Sequence, residues 1–180
     1  MCYNLKNEDL FMSFDRDFII YVDLDGVAAD FAAGVRKLVP SFMEGSTENN
    51  KKLDREMWTA ISKHQKAGNK FWYELPPMED AFVLWEFVKP YNPQILTATG
   101  NPSFGAGPQK LEWVAKYFGS DVVVNIVQRS ADKATFATPN SILVDDKLKA
   151  IEPYRSAGGI GVHHTSALDS IEQIKQILNI

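Results

Sequence analysis

The stretch Asp17 to Asp30, DFIIYVDLDGVAAD, constrains this chain more than any other. Its apolar run Phe18-Ile19-Ile20-Tyr21-Val22 is short, rich in β-branched residues, and stopped by charge at Asp23-Leu24-Asp25-Gly26. Such a run reads as a buried strand of a parallel sheet, because those strands are covered on both faces and do not alternate. Two carboxylates one residue apart at its C-terminal end then fall where open α/β sheets place their ligands. Gly26 lets the backbone leave the strand at a φ that other residues resist. An ordinary Asp-Gly turn would leave the same trace, so the rest of the chain has to decide.

Similar runs recur at Gln94-Ile95-Leu96, Val122 to Val127, Ser141-Ile142-Leu143-Val144 and Ile160 to His163. Helical spacing lies between them: over Ala28 to Val39, Leu53 to Lys66, Glu79 to Lys89, and a segment with Leu111, Val114, Ala115 and Phe118 on one face. A further helix ends near Ala157, and a closing one carries Leu168, Ile171, Ile174 and Leu178. Strands alternating with helices predict an α/β fold, a Rossmann-like and mainly parallel sheet with helices on both faces. Residues 33–75 contain no strand pattern of the core type and read as a small helical cap inserted after the first strand. That leaves 1–32 and 76–180 as the core domain, with residues 1–16 a polar lead-in and loops at 41–52 and 101–108.

A length of 180 residues suits one such core plus an insertion. A net charge of −4 gives no electrostatic footprint for a nucleic acid polymer. The first ten residues carry charge where a signal peptide needs an apolar core, and no stretch is long and apolar enough to span a bilayer, so no membrane partner and a cytoplasmic location are expected. The single Cys2 offers no internal disulfide.

The strand ends and adjacent loops present, in chain order, Asp23 with Asp25, Thr97, Lys133, and Asp145 with Asp146. In a parallel sheet the C-terminal ends share one edge, so these groups are expected to converge in one crevice. Taken singly, each has an ordinary reading as a cap, a turn or a solvated charge. Their joint occurrence, each after its own apolar run, points to chemistry.

These motifs resemble the haloacid-dehalogenase-like superfamily of phosphohydrolases, in DLDGV, the Thr97 of QILTATG, Lys133, and the Asp pair of ILVDD. Over residues 18–150 the chain is similar to the 5′(3′)-deoxyribonucleotidase branch, through DLDGVAADF, FWYELPPMEDA, KLEWVAKYFG, DKA and ILVDD. The resemblance implies a Mg²⁺-dependent phosphomonoesterase acting on (deoxy)nucleoside monophosphates through an aspartyl-phosphate. Asp23 would be the nucleophile and Asp25 the general acid, with a pKa raised by neighbouring carboxylates. Thr97 and Lys133 would hold the phosphoryl oxygens. The implied metal ligands are Asp23, the Asp25 carbonyl, and one or both of Asp145 and Asp146. Phe31 and Trp58 match aromatic positions that hold the base, and Ala98 and Lys110 match substrate positions, although a solvated surface role is the commoner fate of a lysine such as Lys110. Ala98 departs from the hydroxyl residue common after the Thr, Lys147 from an Arg common after the Asp pair, and the insertion is short.

Three other readings compete. A phosphatase or phosphotransferase for another small phosphomonoester, such as a phosphosugar, shares the chemical core. A phospho-accepting receiver domain uses a similar inventory for signalling, but has no second acidic pair after its Lys. A binding protein on a retired enzyme fold would not need the full set of carboxylates. His64, His163 and His164 have no metal-ligand spacing, and a homodimer remains open.

Overall fold

The computed structural model describes residues 18–43, 50–100 and 105–180. The lead-in over 1–16, with Cys2, and parts of the loops at 41–52 and 101–108 lie outside the described residues. Five strands form one sheet: β1 (Ile19–Val22), β2 (Gln94–Ala98), β3 (Val124–Val127), β4 (Ser141–Asp145) and β5 (Ile160–His163). Their order is β3-β2-β1-β4-β5 and every pairing is parallel. The chain thus builds β1, β2 and β3 outward on one side, then returns to lay β4 and β5 on the other. That reversal opens a crevice at the C-terminal end of β1, between the two halves of the sheet.

The period of two along each strand divides the interior in two. Ile20, Val22, Ile95, Ile142, Val144 and Val162 join one buried cluster, while Tyr21, Leu96 and Leu143 join another. The first face is covered by α3 (Ala81–Val88), α4 (Ala106–Tyr117) and α6 (Ala167–Leu178). The second is covered by α5 (Leu148–Ser156) and a 3₁₀ helix over Ser130–Phe136. Helices therefore lie on both faces, as an all-parallel sheet requires.

The insertion belongs to the thicker face. Helix α1 (Phe31–Leu38) runs unbroken through position 33, and α2 (Lys51–Lys66) follows it. Val35, Met57, Ile61, Phe71, Trp72 and Leu75 share one core with the sheet. Helix α1 starts three residues later than its spacing predicts because Val27, Ala28 and Ala29 all donate their N–H groups to the Leu24 carbonyl. Asp30 then caps the helix, its carboxylate accepting from Ala33 N at 2.7 Å.

Leu168, Leu111 and Ala115, apolar positions expected inside, are outside. Leu168 is 70% exposed, because the buried stripe of α6 runs through Ala167, Ser170, Ile171, Ile174 and Leu178. Ser170 tolerates the core by pairing with His164 Nδ1 at 2.8 Å. Leu111 is likewise exposed, and the inward face of α4 is Ala106, Lys110, Trp113 and Val114. Among the described residues, no helix is long and apolar enough to cross a membrane.

Candidate active site

Asp23 ends β1 and is tied to the neighbouring strand through its N–H, which donates to Val144 O at 3.0 Å. Lys133, from the 3₁₀ helix before β4, lies 2.7 Å by Nζ from Asp23 Oδ1 and donates to Asp145 Oδ2 at 2.5 Å. All three side chains are buried. Asp145 engages its other oxygen as well, Oδ1 accepting from Lys147 N at 2.9 Å. Its neighbour Asp146 does the opposite: Oδ1 is buried and has no hydrogen-bond partner.

The loop after Asp23 is shaped by Gly26, at φ +89°, a left-handed conformation that side chains resist. A Cβ there would also stand 2.5 Å from Asp146 Oδ2, so glycine is required twice over. The loop delivers Asp25, whose Oδ2 accepts from Lys110 Nζ at 2.8 Å. The same ammonium donates to Thr97 Oγ1 and to the Ala98 carbonyl, also at 2.8 Å. Lys110 is therefore not a solvated surface lysine: it is 2% exposed and anchored in the site. The sequence held a signal for this. Lys110 falls between Ala106 and Trp113-Val114 at i+4, i+3 and i+4 spacing, in the middle of the inward stripe.

The electrostatics follow from this crowding. Burial acts to raise the Asp23 carboxyl, but Lys133, then Lys110 and Lys147, outweigh it and hold Asp23 below its usual range, ionised. Burial likewise opposes the charge on Lys133, and Asp23 and Asp145 overcome it. Asp145 is raised by burial and by the charge of Asp23. Asp146 is raised to about 7, chiefly by burial. Four carboxylates face the buried ammonium groups of Lys110 and Lys133 and the more exposed Lys147, 4.0 Å from Asp146 Oδ2, which leaves a surplus of negative charge.

That surplus fits a hard cation. Asp23, Asp145 and Asp146 each offer a carboxylate oxygen within 4.8 Å of the others, and among the described residues no other such cluster of His, Cys, Asp or Glu occurs. The unpartnered Oδ1 atoms of Asp25 and Asp146 also point to a missing positive partner. An all-oxygen donor set suits Mg²⁺.

Above the carboxylates lies a cavity of about 560 Å³. Asp23, Asp25, Gly26 and Asp146 line its floor; Phe31, Phe42, Met57, Trp58 and Trp72 line one wall; Arg129, Lys147 and Lys149 also border it. Of the expected substrate contacts, Phe31, Trp58 and Ala98 line the cavity, whereas Lys110, Thr97 and Lys133 sit behind its lining. Phe31 and Trp58 meet each other, with centroids 6.3 Å apart and planes at 47°. A base held between two rings needs parallel faces about 7 Å apart, from contact distances of about 3.5 Å on each side. The Phe31 and Trp58 rings therefore form a tilted contact and not a parallel clamp. Trp58 is held by its Nε1, which donates to Asp54 Oδ1 at 3.1 Å.

Thr99 is a lining residue that the sequence reading passed over. Its hydroxyl, one position after Ala98, donates to Val127 O at 3.4 Å. The histidines stay outside the carboxylate cluster: His64 pairs with Glu74 at 2.7 Å, His163 with the Asp146 carbonyl at 3.0 Å, and His164 with Ser170.

A parallel sheet in this order, with a carboxylate loop leaving its central strand, is a haloacid-dehalogenase-like α/β fold. By sequence, no family model matches the chain and no curated protein matches it. By structure it is similar to a hydrolase from Streptococcus pneumoniae TIGR4, at 16% identity and a TM-score of 0.51, over 91% of this chain and 100% of that one. A HAD-superfamily hydrolase from Ehrlichia chaffeensis gives 10% identity and 0.52, over 89% and 97%. The HAD-hydrolase YfnB of Bacillus subtilis, solved bound to magnesium, gives 12% and 0.51, over 91% and 99%. The L-2-haloacid dehalogenase PA0810 gives 13% and 0.50, over 87% and 99%. At these identities the likeness is one of fold.

Proposed function

We propose that the protein is a Mg²⁺-dependent phosphomonoesterase, and that its substrates are (deoxy)nucleoside monophosphates. The observation that carries this reading is the pair Asp23 and Asp25: one carboxylate held ionised against Lys133, the other lining the same cavity with Oδ2 on Lys110 and Oδ1 without a hydrogen-bond partner. In the first step Asp23 attacks phosphorus and the ester P–O bond breaks, giving an aspartyl-phosphate. Asp25 Oδ1, the oxygen that Lys110 does not hold, gives its proton to the departing alkoxide. In the second step Asp25 takes a proton from the water that attacks phosphorus, and inorganic phosphate and free Asp23 result. Asp23, Asp146 and the Asp25 carbonyl would hold Mg²⁺, with Asp145 beside them; when bound, the cation would offset the negative charge that gathers around the phosphoryl group. Lys133 supplies the fixed positive charge behind Asp23.

The similarity to a haloacid dehalogenase raises a second reading, carbon–halogen cleavage by the same nucleophile. Halide departs without a proton and without a cation, so Asp25 would serve only the later hydrolysis of the ester and the unpartnered oxygen of Asp146 would have no task. Phosphoryl transfer uses both. The apolar wall of Phe31, Trp58 and Trp72 favours a base over a sugar, because stacking on an aromatic face is worth about 1–3 kcal/mol.

A panel of nucleotides, sugar phosphates and a 2-chloro carboxylic acid, assayed with Mg²⁺ and with EDTA, tests the reading. Phosphate release from nucleoside monophosphates, abolished by EDTA, is expected. Activity confined to sugar phosphates would replace the substrate, and chloride release without phosphate release would replace the reaction. Asp23→Asn should abolish turnover while the protein stays folded by circular dichroism.

A further inference from the structure

Helix α4 touches the catalytic acid and the insertion through adjacent residues. Lys110 holds Asp25 and Thr97. Gln109, one position earlier, accepts from Trp72 N at 3.0 Å through Oε1 and donates to Gln65 Oε1 at 2.7 Å through Nε2. Gln65 lies in the last turn of α2, and Trp72 lines the cavity beyond it. Two further residues of the same helix grip this segment: Trp113 Nε1 donates to Leu75 O at 2.9 Å, and Glu112 pairs with Lys70 at 2.6 Å. One rigid element thus carries both the wall that would meet the base and the ammonium that aims the acid.

We propose that Gln109 is a positioning residue for proton transfer: by tying α4 to Gln65 and Trp72 it sets the placement of Lys110, and through Lys110 the direction of Asp25 Oδ1. The proposal rests on the phosphomonoesterase reading and extends it to a residue that lies outside the cavity lining. A helix that shifts when Gln109 lets go moves the Lys110 ammonium away from Asp25, and a displacement of about 1 Å at a reacting group can lower a rate on the order of 10²-fold.

The test uses two small esters that differ in their leaving group, an alkyl phosphate and p-nitrophenyl phosphate. The first leaving oxygen needs a proton as it departs and the second does not. Values of kcat/KM report the steps through phosphorylation of Asp23, where the acid acts. Gln109→Ala is expected to lower kcat/KM for the alkyl ester by about 10- to 100-fold and for the p-nitrophenyl ester by less than about 3-fold. Gln109→Glu keeps the acceptor for Trp72 N and lets the Gln65 amide turn its NH₂ inward, so it should restore the alkyl activity. Gln65→Ala, which cuts only one of the two links, should fall between them. Equal losses on both esters, or no loss on either, with an active wild-type enzyme, would overturn the proposal and leave the proposed function standing. A wild-type enzyme that cleaves neither ester nor any nucleotide would overturn both.

Discussion

Two buried lysines flank the carboxylates of β1, and they are not equivalent. Lys133, on the β4 side, has two anions for partners, Asp23 and Asp145, both buried. Lys110, on the β2 side, has one carboxylate that is 18% exposed, together with a hydroxyl and a carbonyl. The β2 side is balanced in charge. The β4 side is not: Asp23 and Asp145 share one ammonium, while Asp146 faces Lys147 at 4.0 Å. Lys133 therefore makes it affordable for two strand ends to bring carboxylates together, whereas Lys110 mainly fixes where one carboxylate points. The difference also says where the proposed cation would sit, on the Lys133 side, beside Asp23, Asp145 and Asp146.

The largest expected effect follows from deleting the more heavily committed lysine. Lys133→Met leaves two carboxylates buried without a cation, and removing one partner of a buried pair costs about 3–5 kcal/mol. That is a large part of the stability of an ordinary domain, about 5–15 kcal/mol. Chemical denaturation should show the loss, turnover should vanish, and adding Asp145→Asn should restore stability without activity. Lys110→Met should be milder, about 1–3 kcal/mol, because water can reach Asp25 and the other two partners are neutral. Its rate loss should fall mainly on esters with poor leaving groups. If the two variants unfold at the same denaturant concentration, the asymmetry drawn here is wrong.

This asymmetry was half legible in the sequence. Asp23, Asp25, Lys133, Asp145 and Asp146 could be placed because each follows an apolar run, and a parallel sheet gathers the ends of such runs along one edge. The strand β5 was readable to the residue for the same reason. Lys110 was legible only through the family resemblance, because a charge inside an amphipathic helix ordinarily lies on the wet face and the helical spacing favours Leu111 beside it. What reverses the assignment is a set of acceptors from β2 and the β1 loop, distant in sequence and invisible to any periodicity. Thr99 was passed over because attention fell on Ala98, its neighbour. Helix α1 began late because a single carbonyl, Leu24 O, took up the donors of three residues with good helical spacing. The contact between Phe31 and Trp58 depends on how two helices cross, which neither segment encodes alone.

The smallest effect sharpens the β4 side itself. Asp145 spends both oxygens on Lys133 and on Lys147 N, whereas Asp146 keeps Oδ1 free. Burial holds Asp146 at about 7, so between about pH 4, the ordinary carboxylate value, and pH 7 the folded protein binds a proton that the unfolded chain has released. The stability this group contributes is full at low pH and is lost as pH rises through 7. Mg²⁺ needs the ionised carboxylate, so its stabilising effect should run the other way and grow from pH 5.5 to 8. Thermal melts with and without Mg²⁺ should show a shift on the order of a few degrees at pH 8 and little at pH 5.5. Asp146→Asn should flatten the metal-free pH slope relative to the native protein and remove most of the Mg²⁺ shift. Asp145→Asn should instead lower the melting point through Lys133 and keep more of that shift. A full Mg²⁺ shift in Asp146→Asn would take Asp146 out of the ligand set and hand its place to Asp145.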